Sequence, residues 1–271
     1  MNTEHGVAEI AVKYNKFYSQ IFEVFEDYLF VEFYYPELHK LLKKDKVEMM
    51  RFESATSSYK APFKKEYIYG VIDRTVRKTN PFRSLYDAVA LTEGYLQDLT
   101  NRIYRDNPSK LETKDEVPDQ QFKILKVITS SVDKNEIISR IAEEKIRSIF
   151  YGNPVDFFRK DKAKIGLGRS FSDNYSLALD NYAEIVARRN LYTHNGGKVD
   201  RKYLREIKTT SFSLGEKATI NKSYLKSTIE TLHGLATVAT RDAILANYTT
   251  NSIHGKLNFY CKRFDKKWKG K

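Results

Sequence analysis

A chain of 271 residues can bury a sizeable core, as one large domain or two small ones. Its 47 Lys and Arg against 35 Asp and Glu leave a formal charge of +12, a field that favours polyanions, chiefly nucleic acid. The single cysteine, Cys261, excludes an intrachain disulfide and a cysteine-based zinc site; with no apolar run of membrane-spanning length and no leader-like N-terminus, the expectation is a cytoplasmic protein without a membrane partner.

Six prolines and twelve glycines are few, which suits a mostly helical chain. From Val7 to about Tyr35 the spacing predicts one long helix with Phe17, Ile21, Val24, Phe25, Tyr28, Leu29 and Phe33 inward. Glu23, Glu26, Asp27 and Glu32 take the other positions, an acidic face that argues against a primary RNA surface. Pro36 predicts a turn, Glu37 to Lys44 a short polar helix, and the Ser/Thr-rich stretch Ser54 to Ser58 a loop. Phe63 to Thr79 reads as a helix with Tyr67, Ile68, Val71, Ile72 and Val76 inward. Residues 1–79 are therefore a helical region that is a subdomain, an elaboration on the core or part of a dimer contact. His39 reads as a surface residue.

Asn80 can cap a helix with Pro81 at its first position, running to about Arg105 and burying Leu85, Val89, Leu96, Leu99 and Ile103. Glu93 falls amid that stripe. A carboxylate there is partly exposed at the edge or buried against a cation, for which Arg189 or His194 is an attractive partner. Leu111 to Asp119 predicts a charged loop, Phe122 to Ile128 a short helix, and Asp133 or Asn135 the cap of a helix through Ile149. Gly152 to Pro154 predicts a turn into a short helix ending near Lys160. Lys160, Lys162, Lys164 and Arg169 then suit a phosphate-tracking loop. Gly166 and Gly168 lack the strand-then-helix setting of a nucleotide-binding loop.

Ser172 or Asp173 can cap the next helix, with Leu177, Tyr182, Ile185, Val186 and Arg189 at helical spacing. Gly196 and Gly197 can adopt the left-handed conformation that stops a helix, which puts His194 in its last turn. Asn190 and His194, four apart, share a face; Arg189 and His194 are about 140° apart on a straight helix. Arginine offers a rigid fork of donors to phosphate, and histidine can take or give a proton near neutral pH. RNA carries its own nucleophile, the ribose 2′-hydroxyl, so a base, an acid and a cation suffice. One copy of the motif supplies some of these roles, and a two-fold dimer supplies all of them. The plainer reading is a solvated helix end whose cations sit well against the dipole.

Asp200 can cap a short helix through Ile207, and Thr209 to Thr219 predicts a small extended segment or hairpin around Gly215. Asn221 or Ser223 starts a helix with Leu225, Ile229, Leu232, Leu235, Val238, Ile244 and Leu245 inward, and His233 beside that stripe reads as structural. From Lys262 to Lys271 six basic residues against Asp265, with Trp268 among them, suit either an RNA grip or a disordered solubilising end.

Arg189-Asn190 followed by His194 resembles the Arg-Asn-x-x-x-His signature of HEPN-domain ribonucleases. His194 to Asp200, then Tyr203-Leu204, is similar to the continuation of that signature in bacterial defence members. Leu85 to Leu99 resembles the first helix of such domains, and Glu136 to Phe158 their middle helices. The likeness covers roughly Leu85 to Asn247. It implies an all-α, HEPN-like bundle at 80–250, with 1–79 and a basic tail, 251–271, outside it. It further implies a metal-independent, cofactor-free RNA endonuclease acting as a homodimer in antiviral or stress defence, restrained by an antitoxin or an infection-sensing partner. Arg189 would hold the scissile phosphate, His194 transfer protons and Asn190 hold the imidazole or the phosphate. Glu93, Arg188 and Tyr192 would support them, and Lys160, Lys162, Lys164, Arg169 and Lys198 would bind RNA. In some related toxins a tyrosine at the place of Tyr192 is modified, although packing is its plainer role. The alternative is a non-catalytic helical module that binds RNA or assembles with a partner.

Overall fold

A computed structural model describes residues 3–44, 51–53, 60–62, 64–111, 133–151, 155–250 and 253–270. The expected loop at Ser54–Ser58, the helix at Phe122–Ile128, the turn at Gly152–Pro154 and all but the start of the Leu111–Asp119 loop lie outside them. The fold is an all-α bundle with one two-stranded antiparallel ribbon, β1 (Arg51–Glu53) and β2 (Lys60–Pro62), flanking the expected loop. Its register pairs Arg51 with Pro62 and Glu53 with Lys60.

The first helix, α1 (Thr3–Lys43), runs straight through Pro36 instead of turning there. The ring removes one amide, but its fixed φ is helical, and two turns continue beyond it. Ile10, Tyr14, Phe17, Ile21 and Tyr28 form the buried seam, while Phe33, expected inside, is 67% exposed. That seam belongs to the same core as the central helices, so α1 is part of the bundle and not a separate subdomain.

After α2 (Lys65–Arg74), which buries Ile72 but leaves Tyr67 exposed, the chain does not stop at Asn80. Residues Thr75–Thr79 form a widened turn in which the Asn80 amide donates to Thr75 five residues back. This absorbs Pro81, which has no amide to give. The helix then continues as α3 (Asn80–Asp106), and the Asn80 side chain bonds the Tyr28 carbonyl instead of capping. Asp133 caps α4 (Lys134–Tyr151) through the Glu136 amide, as expected. Two short helices, α5 (Val155–Arg159) and α6 (Gly168–Asn174), lead into α7 (Ser176–Asn195). The bundle is completed by α8 (Arg201–Glu206), α9 (Lys222–Asn247) and α10 (Gly255–Trp268). Asp200 and Asn221 cap α8 and α9 through the Tyr203 and Tyr224 amides.

At the centre, α9 is buried on nearly every face between Leu225 and Ile244, although Leu245, expected inward, is exposed. The expected tail is the well-formed α10, whose Leu257, Cys261, Phe264 and Trp268 are buried on one seam. Trp268 is thus a core residue and not a stacking platform. Gly234 allows this packing: a Cβ there would lie 2.0 Å from the Phe264 ring. His233 is caged by Tyr14, Phe17, Tyr18, Phe22 and Tyr260, and hydrogen-bonds with the Tyr14 hydroxyl at 3.1 Å. Fully burying each such large apolar side chain contributes about 1.5–3 kcal/mol. No described helix is long and apolar enough to cross a membrane.

Candidate active site

The chain bends at Tyr175 (φ −125°, ψ 27°), so Ser172 and Asp173 belong to α6 and do not cap α7. The shift places Tyr182, Ile185 and Val186 inside and leaves Leu177 exposed. At the other end the glycines act as expected. Gly196 (φ +57°) is left-handed, and the Gly197 amide donates to the Leu191 carbonyl at 3.0 Å, sealing the last turn. Gly197 (φ +83°) also lies flat under the Tyr192 ring, where a Cβ would come within 2.7 Å. Tyr192 is half-buried, stacked on Phe82 with centroids 5.5 Å apart, which is the packing role. Burial pushes its phenol up, and Arg188 partly offsets this.

Arg189 reaches across to α3. Its Nη2 donates to the Glu93 Oε1 at 3.0 Å, and each side chain is 20% exposed. Burial raises the Glu93 carboxyl above its ordinary value, and Arg189 pulls against that shift. The expected Glu93 partner is therefore Arg189 and not His194. The Arg189 Nε and the Tyr182 hydroxyl are buried with no partner among the described residues. His194 and Asn190 are both exposed. The hydrogen bond that their spacing allows is not formed.

Arg188 is not part of this arrangement. One step round the helix, it is 8% exposed, donating to Glu184 at 2.7 Å and to the Thr219 carbonyl at 2.7 Å. Its guanidinium lies between the rings of Phe212 and Tyr224. Burial works against the charge, but Tyr224, Glu184 and Tyr203 more than restore it, so Arg188 is held protonated. Glu184 also accepts from the Tyr203 and Tyr224 hydroxyls. Arg188 is thus an internal clamp joining α7, α8, α9 and the 209–219 segment.

Of the expected RNA-binding residues only Lys198 lies at the motif. It is exposed and faces Lys217 across an isolated antiparallel bridge, and Lys217 in turn sits 5.8 Å from the Tyr192 ring centroid. This is the small extended segment expected in Thr209–Thr219. Lys160 and Lys162 pair with Asp156, and Arg159 pairs with Asp180 near the start of α7. Asp180 precedes His194 by fourteen residues, about 20 Å along the helix. Lys160 and Lys162 are thus brought together at Asp156, Arg169 pairs instead with Asp173, the Lys164 carbonyl accepts from Lys110, and among the described residues none of the four contacts the motif.

No protein-family model, curated protein or solved structure matches the chain.

The geometry thus gives one arginine fixed by a carboxylate, an open imidazole, an open carboxamide and two nearby lysines, on a helix end stopped by glycine. Lys217, Phe82 and the Glu184 clamp are absent from the sequence-based expectation. The clamp had a signal, since Glu184 and Arg188 are spaced for a helical ion pair. Lys217 and Phe82 had none, because both reach the motif through tertiary pairing.

Proposed function

We propose that the chain is a metal-independent RNA endonuclease acting at the glycine-stopped end of α7 as a homodimer. The observation that carries this reading is Arg189 anchored on Glu93 at 3.0 Å while His194, five residues on, is open to solvent. The ion pair fixes where the guanidinium sits and leaves other N–H donors for a phosphate oxygen. An exposed imidazole can reach a substrate proton that a packed one cannot.

The reaction draws its nucleophile from the RNA. One His194 takes the 2′-hydroxyl proton as that oxygen bonds to phosphorus. The bond to the 5′-oxygen breaks, and the His194 of a second copy returns a proton to it. Arg189 meets the negative charge that builds on the phosphate, and Asn190 holds the phosphate or the imidazole. The products are a 2′,3′-cyclic phosphate and a 5′-hydroxyl. The resemblance of the motif to HEPN ribonucleases adds a setting: a toxin-like cytoplasmic effector in antiviral or stress defence, restrained by an antitoxin or an infection-sensing partner.

Purified protein incubated with mixed RNA and a chelator tests this directly. Cyclic-phosphate ends that vanish in His194→Ala support the proposal; wild-type cleavage by that variant overturns the mechanism. Retarded RNA bands with no cleavage by wild type favour the non-catalytic RNA-binding module.

A further inference from the structure

A single backbone hydrogen bond ties two basic segments far apart in sequence near the start of α7, the end remote from His194. On α10, Leu257, Cys261, Phe264 and Trp268 face the core. At 100° per residue, the opposite side of that helix carries Phe259, Lys262, Arg263 and Lys266. The one carboxylate of α10, Asp265, is turned inward to Tyr175 and to Arg241, at 2.8 Å from the latter. Lys267 pairs with Glu230. Lys262, Arg263 and Lys266 are exposed and make no ion pair among the described residues, and Phe259 beside them is 60% exposed. Past the end of α10, the Gly270 amide donates to the Asn174 carbonyl at 3.0 Å, seating that end against α6. α6 carries Arg169, whose side chain is 94% exposed. The loop before it presents Lys164 and is held rigid by Asp161, whose carboxylate accepts the Ile165, Gly166 and Leu167 amides.

We infer that the outer face of α10 is a second, sequence-indifferent RNA-binding surface, separate from the cutting end of α7. Phe259 and Lys266 are seven residues apart, about 10 Å along the helix, enough to meet consecutive phosphates of one strand. Three unneutralised cations along that span release counterions when they meet a phosphate backbone, and an exposed ring beside them stacks a base of any identity. A lipid surface is the poorer match. Membrane-lying helices bury an apolar face, whereas the apolar seam of α10 is already used in the core. This surface ends against Asn174, two residues before α7 begins at Ser176, and His194 is eighteen residues further, about 27 Å along α7. RNA touching both places must span several nucleotides. Only the identity of the polyanion rests on the nuclease reading.

The test uses the full chain carrying His194→Ala, with chelator, and anisotropy of a labelled single-stranded RNA of roughly 30 nucleotides from about 50 to about 200 mM salt. Combined Lys262→Gln, Arg263→Gln and Lys266→Gln is expected to weaken binding about tenfold or more and to lower the salt slope by about 2. Phe259→Ala is expected to weaken it about fivefold with the slope unchanged. Circular-dichroism melts of these variants should overlay the parent, since the replaced side chains face outward. Wild-type affinity and slope in the triple variant overturn the inference, as does loss of binding to phosphatidylserine vesicles with RNA binding intact. A dinucleotide substrate separates the two readings. With His194 restored, the triple variant should cleave it like wild type while its KM for long RNA rises. If wild type cleaves neither, the nuclease reading falls alone and the anisotropy result stands.

Discussion

His194 and His233 occupy opposite kinds of place in one molecule. His194 stands exposed at a helix end with no partner among the described residues, while His233 is enclosed by five aromatic rings and bonded to a tyrosine hydroxyl. Arg189 and Arg188 repeat the contrast one residue apart. Arg189 keeps donors to spare, and Arg188 is consumed by Glu184, the Thr219 carbonyl and two rings. The bundle thus spends one histidine and one arginine on cohesion, and leaves the other histidine open to solvent and the other arginine half-buried with donors free, where chemistry with a substrate is possible.

The largest expected effect breaks that division by function. His194→Ala should lower RNA cleavage by about 10³-fold, the scale of a general acid or base, with a melting curve that overlays wild type. His233→Ala should do the reverse. It leaves a cavity and a tyrosine hydroxyl short of a partner, costing about 3 kcal/mol, yet it should cut RNA normally at temperatures where it stays folded. A cleavage-dead but stable His233→Ala would collapse the distinction.

The arginines sharpen it. Arg188→Met strands the Glu184 carboxylate, so urea melts should show a loss of about 3 kcal/mol. Arg189→Met should cost about 1 kcal/mol by the same measurement, since its ion pair is partly solvated, but reduce cleavage about 10²-fold. Equal stability losses would contradict the assignment of clamp and site.

A third expectation concerns acid. Burial, with Lys256 and Arg263 adding to it, lowers the His233 imidazole from its ordinary 6.5 to about 3. Between those values the unfolded chain binds a proton that the folded one does not. Stability present above about pH 6.5 is therefore lost as pH falls towards 3, by up to about 1.4 kcal/mol per pH unit. His233→Gln keeps a hydrogen-bonding side chain and removes the titration, so its stability should fall less steeply than wild type between pH 6.5 and 4. Parallel curves would show that the cage is wetter than its geometry implies.

The smallest effect is at the helix stop. Gly197→Ala meets both a positive φ and the Tyr192 ring, and should cost about 1–2 kcal/mol in thermal melts while disturbing the turn that carries His194.

What the sequence made legible was what neighbours in the chain decide. Asp133, Asp200 and Asn221 cap the helices they precede, and Gly196 ends α7, because each acts within one turn. The all-α class follows from the same periodicities. Pro36 and Pro81 misled because neither ends a helix here: the φ that the Pro36 ring fixes is already helical, and a widened turn accommodates Pro81. The α10 helix was hidden because five cations mask a seam of only four buried residues. At the site, the Glu93–Arg189 pair was visible as a carboxylate in need of a cation. That Arg188 turns inward and Arg189 across to α3 depends on a 100° step of the helix against partners that no local pattern names.

Trp268 is the chain's single tryptophan, and it sits in the seam of α10 beside Phe264 with its indole nitrogen buried. Intrinsic emission from this protein is therefore a private signal of one helix leaving its berth. Helical ellipticity, by contrast, averages over the whole chain. A red shift that precedes the loss of ellipticity would reveal α10 peeling away on its own; coincident curves would mean that it melts as one unit with the rest.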